Sequence, residues 1–222
     1  MAYRAVIFDL DGTLANTLED IADAMNRTLA ASGYPVHSLN AYRLMVGNGL
    51  KNLVTVCLPE SARTASVIDR CHARVVADYG EHYIVKSRLY DGIEELLNKL
   101  SLKGVKMAVL SNKADAITQK ICRTLLDHWK FDAIMGMSER FPRKPDPQSS
   151  RHIAAGMDVA PSEVCYVGDS DVDMKTALAA GFFPVGVAWG FRPEKELADN
   201  GARKIIRFPT ELLSVVFSDD DL

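Results

Sequence analysis

The sequence is poor in cysteine, and the four it has are scattered. Cys57, Cys71, Cys122 and Cys165 form no Cys-x-x-Cys pair. That spacing disfavours a zinc knuckle or a redox dithiol and favours buried free thiols. Long apolar runs are missing too: none approaches the roughly 18 residues that span a bilayer, so no membrane partner is expected. The opening Met1-Ala-Tyr-Arg4 leads into a short apolar segment without the layout of a signal peptide, and a cytoplasmic location is the expectation. Nor is there a positive excess. With 26 Lys plus Arg against 29 Asp plus Glu, the net charge is −3, whereas a nucleic-acid binder usually carries a basic surplus or patch. His37, His72, His82, His128 and His152 share no metal-ligand spacing, and none is assigned a catalytic role.

What is present is ordinary globular composition: 48% hydrophobic and 25% charged residues in a chain of 222. That is enough for a sizeable core, as one large domain or a core with a modest second one. Residues 5–8 form a short apolar β-type run. Residues 15–32 and 60–80 carry helical spacing, through Leu18, Ile21, Ala22, Met25 and Leu29, then Val67, Ile68, Cys71 and Val75. Turn-rich stretches, Gly33-Tyr-Pro35 and Val46-Gly47-Asn48-Gly49, separate them. After Tyr90-Asp91-Gly92, strands at 105–110, 131–135, 164–167 and 183–187 alternate with helices at 114–127, from about Pro147, and at 171–180, the last stopped by Gly181. Unbroken Val/Ile/Leu strands suit a parallel sheet buried on both faces. The expected fold is α/β: a doubly wound, Rossmann-like parallel-sheet core over 1–14 and 83–222, with a small helical cap inserted at 15–82. The acidic stretch at 218–222 reads as a frayed tail, and the assembly is expected to be a monomer or a homodimer.

In such a sheet, ligands gather at the carboxyl ends of the strands, and the polar clusters fall there. Asp9 and Asp11 close the first strand, Ser111-Asn112 another and Gly168-Asp169 a third, while Lys144-Pro145-Asp146-Pro147 precedes a helix. Two carboxylates two residues apart on a strand point the same way and repel unless a cation or a proton intervenes. A hard divalent cation with oxygen ligands resolves this, Asp169 could supply a third carboxylate, and magnesium suits such a site together with a phosphate oxygen. An aspartate can also attack phosphorus, with a second one as acid and base. Gly12 lets the backbone turn its N–H groups towards phosphate. Ser111-Asn112-Lys113 offers a hydroxyl and amides at what reads as a helix start. Lys144 can offset phosphate charge, and Asp173, four residues beyond Asp169, can orient the lysine or the metal. Each motif alone has a plain alternative: an Asp-Gly turn, a helix cap, a solvated loop lysine. Leu18-Glu-Asp20 reads most simply as a polar helix face. Weight comes from all four motifs falling in order.

Asp9-Leu-Asp11-Gly-Thr13, Ser111-Asn112, Lys144-Pro145 and Gly168-Asp169-x-x-x-Asp173 together resemble the haloacid dehalogenase superfamily over nearly the whole chain. The resemblance implies Asp9 as nucleophile and metal ligand, and Asp11 as acid/base with its carbonyl on the metal. It implies that Gly12, Thr13, Ser111, Asn112 and Lys144 meet phosphate, that Asp169 completes a Mg2+ site and that Asp173 supports it. Dehalogenases and phosphonate hydrolases of the superfamily lack the second aspartate, so Asp11 points away from both. Sugar-phosphate mutases usually carry Val after the glycine and a His about ten residues beyond the second aspartate, where this chain has Thr13 and Ile21. The implied activity is a magnesium-dependent phosphatase acting on a small phosphorylated metabolite. A pyrophosphatase, a phosphosugar phosphatase, a phosphomutase and a catalytically idle phosphate-binding module remain alternatives. Val46-Gly47-Asn48-Gly49 and Gly186-Val187-Ala188-Trp189-Gly190-Phe191 further resemble phosphoglycolate phosphatases. On that reading Gly47, Asn48 and Gly49, flanked by Arg43 and Lys51, meet a substrate carboxylate; a plain turn between two cap helices is the alternative.

Overall fold

The computed structural model of the chain describes residues 3–217; the acidic stretch at 218–222 lies outside them. The chain opens with β1 (Ala5–Phe8), apolar at every position and buried on both faces, Val6 and Phe8 to one side and Ala5 and Ile7 to the other. A two-residue strand, β2 (Ala15–Asn16), follows, then four helices: α1 (Leu18–Ala31), α2 (Leu39–Met45), α3 (Leu50–Cys57) and α4 (Ala65–His82). The chain returns through β3 (Arg88–Leu89), antiparallel to β2. From there strands and helices alternate: α5 (Ile93–Leu102), β4 (Lys106–Ala114), α6 (Asp115–Leu125), β5 (Ala133–Met137), α7 (Gln148–Gly156), β6 (Val164–Gly168) and α8 (Asp171–Ala180). β7 (Phe183–Val187), α9 (Glu194–Asp199), β8 (Lys204–Ile206) and α10 (Leu213–Val216) complete the described chain.

The six longer strands form one parallel sheet in the order β5-β4-β1-β6-β7-β8. Connections run one way from β1 through β4 to β5 and the other way from β6 onward. This is a doubly wound, Rossmann-like α/β sheet, and its switch point lies between β1 and β6. Apolar clusters cover both faces. One joins Val6, Phe8, Val109 and Val167 to α5, α6 and α10; the other joins Ile7, Leu110 and Tyr166 to α7 and α8. A third cluster packs α1 to α4 around Met25, Leu29, Tyr42, Val54 and Cys71, and Phe191 from after β7 belongs to it. Among the described residues, no helix is long and apolar enough to cross a membrane.

Several local expectations need correction. Residues 15–16 are not helical: pairing Ala15 with Leu89 and Asn16 with Arg88 keeps them extended, and α1 starts at Leu18. Residues 60–62 form a separate 3-10 turn, and α4 begins after Thr64, whose hydroxyl accepts the Val67 N–H at 3.4 Å. Strand β4 runs past Leu110 to Ala114 with a register shift, so Ser111-Asn112-Lys113 ends a strand and does not start a helix. The turn-rich linker also holds α2 and α3. Asp20 is not part of a polar face. It is 2% exposed, and its carboxylate accepts the Lys86 and Ser87 N–H groups and the Ser87 hydroxyl at 2.7–3.0 Å. One carboxylate thus ties the helical layer's first helix to its returning chain.

Asp20→Ala strands two buried amides and a hydroxyl, and should cost about 2 kcal/mol in urea unfolding. Glu19→Ala removes only half-exposed ion pairs of 3.8–3.9 Å and should stay within about 0.5 kcal/mol. Equal effects of the two substitutions would contradict this account of the tie.

Candidate active site

Asp9 follows β1 directly, and its N–H donates to Val167 O of β6 at 2.9 Å. It therefore stands over the switch crevice, facing Asp169 at the end of β6. The turn between them is close-packed. Gly12 has φ 86°, and a side chain on it or on Gly190 would run into the Asp169 carboxylate. The Asp169 Oδ2 in turn accepts the Phe191 N–H at 2.7 Å.

Lys144 reaches into this crevice from a cis Lys144–Pro145 peptide. Its side chain is 2% exposed and lies 2.8 Å from Asp173 Oδ1 and 2.9 Å from Asp9 Oδ1, while donating to Leu110 O at 3.1 Å. Burial opposes the ammonium charge, but Asp173 and Asp9 outweigh it and raise the Lys144 pKa. Asp173 is fixed by capping α8, where its Oδ2 accepts the Ser170 hydroxyl at 2.6 Å and the Ser170 N–H at 3.1 Å. Asp9 is less settled. Its Oδ1 is buried with the Lys144 ammonium 2.9 Å away as its charge partner, and no other donor reaches it among the described residues. Burial, with Asp173 and Asp11 adding to it against Lys144, pushes the Asp9 carboxyl up to about 7. Burial, then Asp173 and Asp9, also raises Asp169.

Asp9 and Asp11 each face a lysine of their own, Lys144 and Lys113. Lys113 Nζ lies 2.8 and 2.9 Å from the two Asp11 oxygens, and the Thr17 hydroxyl donates to one of them. Burial works against the Lys113 charge, but Asp11 and Tyr79 more than restore it, and its pKa is raised. The ammonium also sits over the Tyr79 ring, 4.9 Å from its centroid.

These groups face one cavity of about 100 Å³ under α1, α3 and α4. Of the residues picked out from sequence, Asp9, Asp11, Ser111, Asn112, Lys144, Asp169, Gly47 and Gly49 line it. Asp173 stands behind Lys144. Others are placed elsewhere, each for a visible reason. The Gly12 N–H is spent on Ala15 O at 2.9 Å, and Thr13 is 1% exposed with its N–H on Leu10 O. Arg43 donates to Gly190 O at 2.7 Å, and Asn48 O accepts Arg143 at 3.1 Å. Lys51 pairs with Asp69 at 2.7 Å on the surface, both side chains more than 60% exposed. Asn112 lines the cavity but spends its amide on the Lys144 N–H and on the carbonyls of Lys144 and Gly47. Lys113, Tyr79 and Arg192 also line the cavity, and the sequence had assigned none of these side chains a role. Lys113 carried a signal, being the one cation at the end of the β4 run. Tyr79 and Arg192 carried none.

The acidic residues also fit a metal ion. Carboxylate oxygens of Asp9, Asp169 and Asp173 lie within 4.8 Å of one another, and among the described residues Asp9 Oδ1 meets no donor besides the Lys144 ammonium. An all-oxygen donor set with one such atom suits a hard divalent cation. Asp173 is already held by Lys144 and Ser170, which leaves Asp9 and Asp169 as the available carboxylates.

Residues 6–187 match the family model of haloacid dehalogenase-like hydrolases. Phosphoglycolate phosphatase of Thiobacillus denitrificans is 35% identical over 204 residues, covering 87% of this chain and 88% of that protein. The crystal structure of a predicted phosphoglycolate phosphatase from Haemophilus somnus superposes with a TM-score of 0.90 at 27% identity, covering 98% of this chain and 99% of the other. CbbY from Rhodobacter sphaeroides, solved in complex with phosphate, gives 0.75 at 26% identity over 95% and 96% of the two chains. Fold, cavity and relatives agree: the chain belongs to the haloacid dehalogenase-like hydrolases, as a phosphoric monoester hydrolase similar to phosphoglycolate phosphatases.

Proposed function

We propose that this phosphatase hydrolyses a small phosphate monoester, with 2-phosphoglycolate as the candidate substrate, through a phosphoaspartyl intermediate on Asp9 and with Mg2+ as cofactor. The observation that carries the reading is the Asp9 carboxylate, buried at the sheet's switch point beside Asp169, with the Lys144 ammonium 2.9 Å from its Oδ1. An Asp9 oxygen attacks phosphorus, and the leaving alkoxide takes a proton from Asp11. Asp11 then deprotonates the water that cleaves the aspartyl phosphate, returning Asp9 and releasing phosphate. Lys144 offsets the phosphoryl charge while keeping Asp9 in place, and Ser111 donates to a phosphate oxygen. When bound, magnesium supplies positive charge beside the phosphoryl group, held by Asp9 and Asp169. Residues 15–82 act as the cap that selects the substrate. Its walls, with Ile21, Leu50, Leu53 and Val76, leave little room beyond a short organic tail. The names of the relatives favour phosphoglycolate within that limit.

Asp9→Asn should lower phosphate release by at least about 1,000-fold with an unchanged melting temperature, and Asp11→Asn by about 100-fold or more. A phosphate-release assay on 2-phosphoglycolate and an aryl phosphate measures both. Undiminished turnover in Asp9→Asn would sink the mechanism.

The carboxylates also predict a pH dependence. Asp9 rises from 3.8 to about 7 on folding, so the folded state holds its proton more tightly than the unfolded chain does. The stability this contributes is full below 3.8 and is lost as pH rises through about 7. Asp169 has the same sign. A bound cation takes the place of the protons, so Mg2+ should raise the melting temperature by several degrees more near pH 8 than near pH 5. Calorimetry with magnesium and with a chelator tests this; identical shifts at the two pH values would count against the assigned ligands.

A further inference from the structure

Three cations line the cavity: Lys144, Arg192 and Lys113. Lys144 is saturated by Asp9, Asp173 and Leu110 O. Arg192 is also committed, donating to Leu44 O at 2.6 Å and Val46 O at 2.9 Å and lying 3.6 Å from Glu196. Lys113 differs. Its side chain is 9% exposed, and its ion partner is Asp11, the carboxylate that the proposed chemistry needs free. Beside it stands Tyr79, 3% exposed and lining the cavity. Its buried hydroxyl has no well-directed hydrogen-bond partner among the described residues, and Lys113 acts on it by its charge and as a nearby donor. The surrounding wall, Ile21, Leu53, Val76 and Ile117, is apolar. A buried ammonium and a hydroxyl side by side in an apolar wall suit one small anion.

We propose that Lys113 and Tyr79 bind the second anionic group of the substrate, and that this binding draws Lys113 off Asp11. The inference rests on the phosphatase reading and adds to it the residues that read the second anion of a short-chain phosphomonoester, and the coupling of that recognition to Asp11. In the observed pairing, Lys113 spans both Asp11 oxygens at 2.8 and 2.9 Å and Thr17 occupies one of them again. Both oxygens are thus engaged by the ammonium before a leaving group arrives. A substrate carboxylate that takes the ammonium releases them, while Thr17 keeps the side chain in place. Substrate recognition at one end thereby readies the acid/base group at the other. Preference for anionic esters appears in kcat as well as in KM, because an ester with a neutral tail leaves Asp11 engaged.

The test compares 2-phosphoglycolate with 2-hydroxyethyl phosphate, which lacks the carboxylate, using the full chain with Mg2+. The wild type should favour phosphoglycolate in both kcat and kcat/KM. In Lys113→Met that preference should fall by about 100-fold or more, and Lys113→Arg should recover part of it. Tyr79→Phe, which removes one hydroxyl and keeps the ring, should reduce the preference about tenfold, so the proposal stays testable if Lys113→Met fails to fold. Equal losses on both esters in Lys113→Met would show a residue that only supports Asp11 and would overturn the proposal. A wild type that handles both esters with the same kcat/KM would overturn it too, with the phosphatase reading left standing. Absence of hydrolysis of any phosphomonoester would defeat that reading, and this inference with it.

Discussion

The Lys144 ammonium is the contact on which the rest of the site depends. Asp9, Asp169 and Asp173 crowd carboxylate oxygens within 4.8 Å of one another, all buried. Like charges at that range in a low-dielectric interior oppose folding unless a cation or protons intervene. Lys144 touches two of the three and a strand carbonyl. Each of its partners is itself fixed, Asp173 by the first turn of α8 and Asp9 by its amide bond to β6. Removing the lysine would leave an uncompensated buried cluster, which is why its place is so strictly determined. Yet the compensation is incomplete. Asp9 and Asp169 still favour protons more than ordinary carboxylates do, and that residual imbalance suits the cluster to the divalent cation we propose.

The helical layer is joined to the sheet through backbone carbonyls more than through ion pairs. Arg192 from after β7 grips Leu44 O and Val46 O, Asn112 grips Gly47 O, and Arg143 grips Asn48 O, while Arg43 answers with Gly190 O. Carbonyls at the end of α2 and in the following glycine turn have no partner within the helix, so core donors satisfy them. The glycine turn is thereby held over the cavity mouth by the same strand ends that carry the chemistry. Asn112 illustrates the economy: one amide binds the Lys144 loop from one side and the turn from the other.

How much of this was legible in the sequence follows from range. Apolar strands such as 5–8 and 164–167 announce themselves by composition, and their carboxyl ends locate Asp9 and Asp169 without further information. Lys144 and Asp173 became legible through the order of motifs. What failed was side-chain destination. Arg43 and Lys51 flank the glycine turn in sequence, and proximity suggested an anion site. On short helices, however, residues that near each other point in different directions: Lys51 meets Asp69 on α4, and Arg43 turns to Gly190. Tyr79 and Arg192 sit far along the chain, and only the folding of four helices back over the sheet brings them to the cavity. Asp20 misled for a similar reason, because its partners lie 66 and 67 residues away.

The two acids of the first motif therefore differ by the lysine each one meets, and not by their own chemistry. Asp9 and Asp11 are identical side chains two residues apart, and both are near neutralisation by a buried ammonium. Lys144 divides its charge between two carboxylates, Asp9 and Asp173, and the Asp9 carboxyl stays raised towards protons. Lys113 has one carboxylate and covers both of its oxygens. On the proposed mechanism, a nucleophile and an acid/base that each answer to a different lysine allow attack and proton transfer to be controlled separately. The release of Asp11 that we propose requires an anion able to compete for Lys113, and the Tyr79 hydroxyl beside it lowers the cost of that exchange by offering the incoming group a second donor.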